Sequence, residues 1–150
     1  HAVPSTPDSP IRLEQGYIKT ELRNDLADRL PVTGVPPNVH HRICVVTRRI
    51  IERLFDPSLS VNDVVRRCGV TSHTFTTHFR HVHDRTPGRY IWHGRMRAAR
   101  RCLQHQELAI TTVAFSLGYT RYRTFARAVK RYAECSPSDW REELLGENVQ

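Results

Sequence analysis

The chain has 150 residues, with 23 Lys and Arg, 15 Asp and Glu, and nine His, for a formal charge of +8. A content of 39% hydrophobic and 8% aromatic residues suits one compact domain, or two small ones sharing a helix, and excludes a disordered chain. The longest apolar run, Ile43 to Val46, is far short of the ~20 residues a membrane helix needs, so no membrane association is expected.

Pro4, Pro7, Asp8 and Pro10 interrupt the place where a signal peptide carries its apolar core. The first residue is His1 and not Met, which reads as a fragment or a processed product. Residues 1–10 hold three prolines and are expected to be disordered or extended. Residues 11–30 predict a helix, with Ile18, Leu22, Leu26 and Leu30 at i+4 spacing. Pro31, Gly34, Pro36 and Pro37 then break the chain. Residues 1–37 therefore read as a flexible or linker segment, and 38–150 as the main domain.

The charge divides at the same place. Residues 1–37 carry four basic and five acidic side chains, whereas residues 38–150 hold 19 basic against ten acidic. A compact domain of that balance points to a polyanionic partner. Cys44, Cys68, Cys102 and Cys135 are spaced by 24, 34 and 33 residues. Zinc and redox motifs need closer pairs, so all four read as free thiols in a reducing compartment.

From residue 38 onward the pattern is helical, and it repeats. Val61, Val64, Val65 and Cys68 fall at i, i+3, i+4, i+7, one face of a helix. Forty-nine residues later stand Ile110, Val113, Ala114 and Leu117. Gly69 maps onto Gly118 and Val70 onto Tyr119; one residue is then inserted, and the offset becomes 50. Phe75, His78, Phe79 and Val82 match Phe125, Ala128, Val129 and Tyr132, Thr86-Pro87 matches Ser136-Pro137, and Tyr90 matches Trp140. A short amphipathic helix, a turn with Gly and a second amphipathic helix make the signature of a helix-turn-helix. Gly69 and Gly118 suit the left-handed position after the first helix. Thr71 or Ser72, and Thr120, are candidate caps of the second helices, and Thr86 and Ser136 of later ones. The predicted fold is all-α: two helix-turn-helix units, about 42–86 and 108–146, joined by a long helix over 87–104.

With the apolar stripes turned inward, the second helix of the first unit exposes His73, Thr76, Thr77 and Arg80. That of the second unit exposes Tyr122, Arg123, Ala126, Arg127 and Lys130. An ordinary solvated face alternates cations with acids, but here the acids come only at the ends, as Asp84 and Glu134. Arg can grip guanine bidentately, and Thr can bond a base edge or touch a thymine methyl. These faces read as surfaces for the major groove.

The segment from about 42 to 144 resembles the DNA-binding domain of the AraC/XylS family of transcription regulators. The resemblance rests on LSVNDVVRRCGVTSHTFTTHFR (59–80), TPGRYIWHGRMRAARRCL (86–103) and LAITTVAFSLGYTRYRTFARAVKRYAECSPSDWR (108–141). It implies that His73, Thr76, Thr77, Tyr122, Arg123 and Arg127 face bases. Thr71, Ser72, Arg80, Thr120, Arg121, Thr124, Lys130 and Arg131 are placed for phosphate, which positions the protein without reading sequence. It also implies double-stranded promoter or operator DNA as partner, RNA polymerase as a candidate second partner, and an effector-binding or dimerisation domain before residue 1. The expected location is a bacterial cytoplasm, on the nucleoid. The family commonly has Phe where Val129 stands, which implies a looser second core. It also has an aromatic and Gly at the ends of both recognition helices, where this chain has His83-Asp84 and Ala133-Glu134.

The competing reading is a helical protein-interaction or metal-sensing module that uses the crowd of His73, His78, His81 and His83, with His40 and His41 upstream. No GxSxG, HExxH, P-loop or dinucleotide motif occurs, so neither catalytic residues nor a cofactor nor a metal is expected.

Overall fold

A computed structural model of the chain describes residues 9–69 and 71–149, and every regular element among them is a helix. In chain order these are α1 (Pro10–Ala27), α2 (Pro37–Glu52), α3 (Val61–Arg67), α4 (Ser72–His83), α5 (Pro87–Cys102), α6 (Ile110–Ser116), α7 (Tyr122–Ala133) and α8 (Pro137–Val149). The all-α architecture with two helix-turn-helix units is therefore present, α3–α4 forming the first and α6–α7 the second. Residues 1–8, the equivalence of Val70 with Tyr119, and the side chain of Ser72 lie outside the described residues.

The first helix begins inside the stretch expected to be disordered or extended. The Ser9 hydroxyl accepts from the Arg12 N–H at 3.3 Å, and Pro10 fills the first helical position, a placement that suits its missing N–H. The helix ends at Ala27, one turn short of the predicted limit, and leaves Leu30 78% exposed. Ile11, Ile18, Leu22 and Leu26 are buried against α5 and α2, a gain of about 1.5–3 kcal/mol per fully buried side chain. Polar bonds fix this docking: Arg23 to Glu52 at 2.7 Å, Lys19 to the Glu52 carbonyl at 2.8 Å, and Gln15 to the Ser116 carbonyl at 2.7 Å. Glu14 takes Arg101 at 2.5 Å and His105 at 2.8 Å, and Glu21 pairs with Arg97.

Both apolar stripes of the repeat turn inward. Val64, Val65, Phe75, Phe79 and Val82 are buried in the first unit, with Val61, Cys68 and His78 half-buried. Val113, Ala114, Leu117, Phe125, Ala128 and Val129 are buried in the second, with Ile110 and Tyr132 half-buried. Gly69 (φ +70°) and Gly118 (φ +100°) adopt the left-handed turn. At Gly118 a Cβ would also lie 2.5 Å from the Arg95 guanidinium carbon, whereas at Gly69 it would meet open space. Thr86 and Ser136 cap α5 and α8, accepting from the Arg89 and Asp139 N–H groups at 3.3 and 3.1 Å.

The turns after α4 and α7 are made without glycine. Asp84 (φ 59°) and Glu134 (φ 62°) take the left-handed conformation despite its cost of roughly 1–2 kcal/mol for an L-residue. Their N–H groups bond the Arg80 and Lys130 carbonyls at 2.8 and 2.9 Å. The second core is also closed: Val129 is fully buried, and Tyr132 packs on Trp92 and Trp140 at ring separations of 5.6 and 5.8 Å.

The repeat extends further than the sequence pattern shows. Arg95 of α5 donates to the carbonyls of Leu54 and Asp56 at 2.9 and 3.2 Å. Arg141 of α8 does the same to Leu103 and His105, each 49 residues further on, at 2.8 and 3.2 Å. Each unit is thus opened by one helix (α2 or α5) and closed by an arginine from the helix after its recognition helix. The joining helix α5 closes the first unit and opens the second.

Candidate nucleic-acid interface

The interface candidates follow from which face each second helix buries. On α4, Phe75, Phe79 and Val82 go inward, so His73, Thr76, Thr77 and Arg80 come out exposed. Thr76, Thr77, Arg80, His81 and Asp84 line an open concavity of about 320 Å³ along this face. On α7, burial of Phe125, Ala128 and Val129 leaves Arg123, Thr124, Arg127, Lys130 and Arg131 exposed, with Ala126 half-buried. Tyr122 is 36% exposed, its ring 6.1 Å from that of Phe125. Thr71, Thr120 and Arg121 are exposed before the two helices.

The caps differ from expectation. Thr71 stands at the N-cap of α4 but makes no side-chain cap bond, and the N-cap of α7 is Arg121 and not Thr120. Neither N-cap side chain therefore bonds the first N–H groups of its helix, and these carry the positive end of the helix dipole.

Arginine is abundant on both α5 and α7, and its partners separate the two. Of the five arginines of α5, Arg97, Arg100 and Arg101 pair with Glu21, Glu147 and Glu14, and Arg95 donates to carbonyls. Within the run Arg95, Arg97, Arg100 and Arg101, three guanidinium groups are thus tied to α1 or to the loop after α2, and Arg100 to α8. By contrast, Arg80, Arg121, Arg123 and Arg127 make neither an ion pair nor a hydrogen bond among the described residues. Arg131 is intermediate: it and Arg89 lie over the Trp92 ring, at 5.0 and 5.1 Å from its centroid. Trp92 itself donates to the Ala128 carbonyl at 3.1 Å. This aromatic anchor between α5 and α7 was not seen in the sequence, because a lone Trp in a helical pattern carries no sign of the helix it will meet.

The four histidines of α4 do not converge. His73 and His81 are exposed, and His78 is half-buried with its ring 6.2 Å from that of His81. His83 turns into the core, only 4% exposed, against Phe79 and Tyr90 at 4.4 and 5.1 Å. Its Nε2 lies 2.9 Å from the Thr47 hydroxyl, which already donates its proton to the Ile43 carbonyl at 2.7 Å. Nε2 must therefore be the donor. Burial first, then the charges of Arg29, Arg85 and His40, lower the His83 pKa to about 4, so the ring is neutral. Among the described residues no three His, Cys, Asp or Glu side chains are grouped to hold a metal ion. The cysteines are free, and burial raises the thiol pKa of Cys44 and Cys135, and that of Cys102 to about 12.

Residues 64–143, just over half of the chain, match the family model described as a helix-turn-helix domain, and every interface candidate falls inside that stretch. The regulatory protein SoxS of Salmonella typhimurium is 30% identical over 105 residues, covering 70% of this chain and 98% of its own. SoxS of Escherichia coli K12 is 32% identical over 94 residues, 63% of this chain and 88% of its own. The chain belongs to the AraC/XylS family of transcription regulators. The Msm operon regulatory protein of Streptococcus mutans is 28% identical over 97 residues, 65% of this chain but 35% of its own length. No solved structure matches the chain. AraC-family helix-turn-helix domains bind double-stranded DNA, and this chain carries both units of such a domain. Among the described residues no helix is long and apolar enough to cross a membrane.

Proposed function

We propose that this protein binds double-stranded DNA sequence-specifically by placing α4 and α7 in successive major-groove segments of one duplex, about one helical turn (~10 bp) apart, and so controls transcription initiation. The observation that carries the reading is the contrast between bound and unbound guanidinium groups. On α5 they are taken up by protein partners; on α7 Arg123 and Arg127, four residues apart on one face, form no ion pair among the described residues, although Glu134 and Asp139 line the same groove. A buried or paired Arg serves the fold, whereas an unpaired fork on an exposed helix face suits a guanine edge.

In this reading His73, Thr76, Thr77, Tyr122, Arg123 and Arg127 contact bases. Thr71, Ser72, Arg80, Thr120, Arg121, Thr124, Lys130 and Arg131 contact the backbone, where the uncapped N–H groups of α4 and α7 add phosphate donors. The stacking of Arg131 on Trp92 holds its guanidinium at the α5–α7 groove, consistent with a positioning contact. Both readers lie on one chain, so a monomer can occupy a site that is not palindromic. We assign residues 38–150 as the DNA-binding domain and 1–37 as the segment leading into it. An effector-binding or dimerisation domain on the N-terminal side, RNA polymerase as a second partner, and a place on the bacterial nucleoid complete the proposal.

Selection of bound duplexes from a random pool, followed by gel shift, tests it. Enrichment of a motif with two information-rich patches about 10 bp apart supports it. Recovery of unenriched DNA, or of a single short patch, contradicts it.

A further inference from the structure

Between α1 and the end of the first unit lies a cavity of about 310 Å³, apart from the α4 and α7 faces. Its cationic wall comes from three places in the chain: Arg29 beyond α1, Arg85 in the turn after α4, and Arg97 on α5. His83 and His93 also line it, and Asp25 is its one carboxylate among the described residues.

The positive charge there is incompletely neutralised. Arg97 is shared with Glu21, outside the cavity. Arg29 donates to the Val82 carbonyl at 3.0 Å, which fixes its direction without cancelling its charge. Arg85 makes no hydrogen bond or ion pair among the described residues, and Asp25 makes no ion pair. The histidines register the excess. After burial, the causes that drive the proton off His83 are Arg29, Arg85 and His40, and those acting on His93 are Arg85, Arg89 and Arg97.

We propose that this cavity binds a small oxyanion, of phosphate or dicarboxylate size, gripped by Arg29, Arg85 and Arg97. An anion at this point receives charge-assisted bonds from guanidinium groups that line one cavity, and a volume near the lower end for ligand pockets suits a small solute. The walls belong to α1, to the C-terminal end of α4 and to α5, so occupancy ties the leading helix to the first recognition helix and to the joining helix. The same chemistry has two sources, a free metabolite or a backbone phosphate of bound DNA.

The test titrates inorganic phosphate and pyrophosphate into the 150-residue chain by calorimetry, at constant ionic strength set with chloride. Saturable binding is expected. Arg85→Gln should weaken it about tenfold or more while the melting temperature without anion stays unchanged. Arg67→Gln, which removes an equal charge from α3, should leave it unaltered. Repeating the titration on chain saturated with duplex DNA separates the sources: retained phosphate affinity assigns the site to a free solute, and lost affinity assigns it to the DNA backbone. No saturable binding at constant ionic strength, or equal weakening by the two variants, overturns the proposal.

Discussion

In the first unit α4 turns His73, Thr76 and Thr77 outward with one guanidinium, Arg80, whereas in the second α7 turns out Tyr122, Arg123 and Arg127 with Lys130. Inside, the two agree at almost every stripe position, and both end in a left-handed non-glycine residue, Asp84 or Glu134. The agreement lies where packing dictates the residue class, and the difference lies where only a partner could. One interior difference stands out: His83 is buried at the end of α4, and the equivalent place on α7, 50 residues on, holds Ala133. Two helices with one interior and unlike exteriors are what two readers of different base sequence require.

The largest expected effect concerns whether both units dock together. If their combined faces neutralise six to ten phosphates, affinity should fall by roughly 10³–10⁵ between about 50 and 200 mM salt. A slope of half that size would mean that only one unit meets the duplex, and a flat response would remove the backbone contacts altogether.

Next comes the unequal anchoring of the two helices. Phe79 is fully buried between Phe75, His83 and Tyr90, so Phe79→Ala should cost about 3–5 kcal/mol in chemical denaturation. Its counterpart Val129 presents less surface, and Val129→Ala should cost distinctly less. Equal losses would mean that α7 relies on its stripe as heavily as α4, and not on Tyr132 with Trp92 and Trp140.

Acid should also separate the units. The His83 pKa is lowered in the fold to about 4 from an ordinary 6.5. As pH falls from about 6.5 towards 4, protons bind the unfolded chain first, and the folded state loses up to about 3 kcal/mol. The contribution is fully present above about pH 6.5. Hydrogen exchange at each pH should show α4 opening before α7, and His83→Gln should flatten the slope. Simultaneous opening of both helices would place the acid-sensitive group elsewhere.

Most of the fold was legible because Val64, Phe75, Phe79 and their partners 49 or 50 residues later repeat at helical spacing, and burial enforces that spacing directly. The outward faces were legible by the same geometry. What escaped were contacts between elements distant in sequence. Nothing in the run Arg95, Arg97, Arg100, Arg101 distinguishes a guanidinium that will meet a Glu of α1 from one left in water. The Thr47–His83 bond spans 36 residues, so the sequence groups His83 with His73, His78 and His81 although it is a core residue. Thr71 and Thr120 looked like caps because propensity favours Thr there, but the chain enters both helices without that bond.

The smallest effects decide the central assignment, that α7 reads bases through Arg123 and Arg127. Arg123→Ala, Arg127→Ala, Arg80→Ala and Lys130→Ala should each be measured on the best selected duplex and on every single-base change of it. The first two should each cost about 1–3 kcal/mol on the best site and lose discrimination at one or two adjacent base pairs. The last two should weaken all duplexes alike and reduce the salt slope by about one. If Arg123→Ala and Arg127→Ala also lose affinity equally on every duplex, both side chains grip phosphate, and the base-reading face assigned to α7 is wrong.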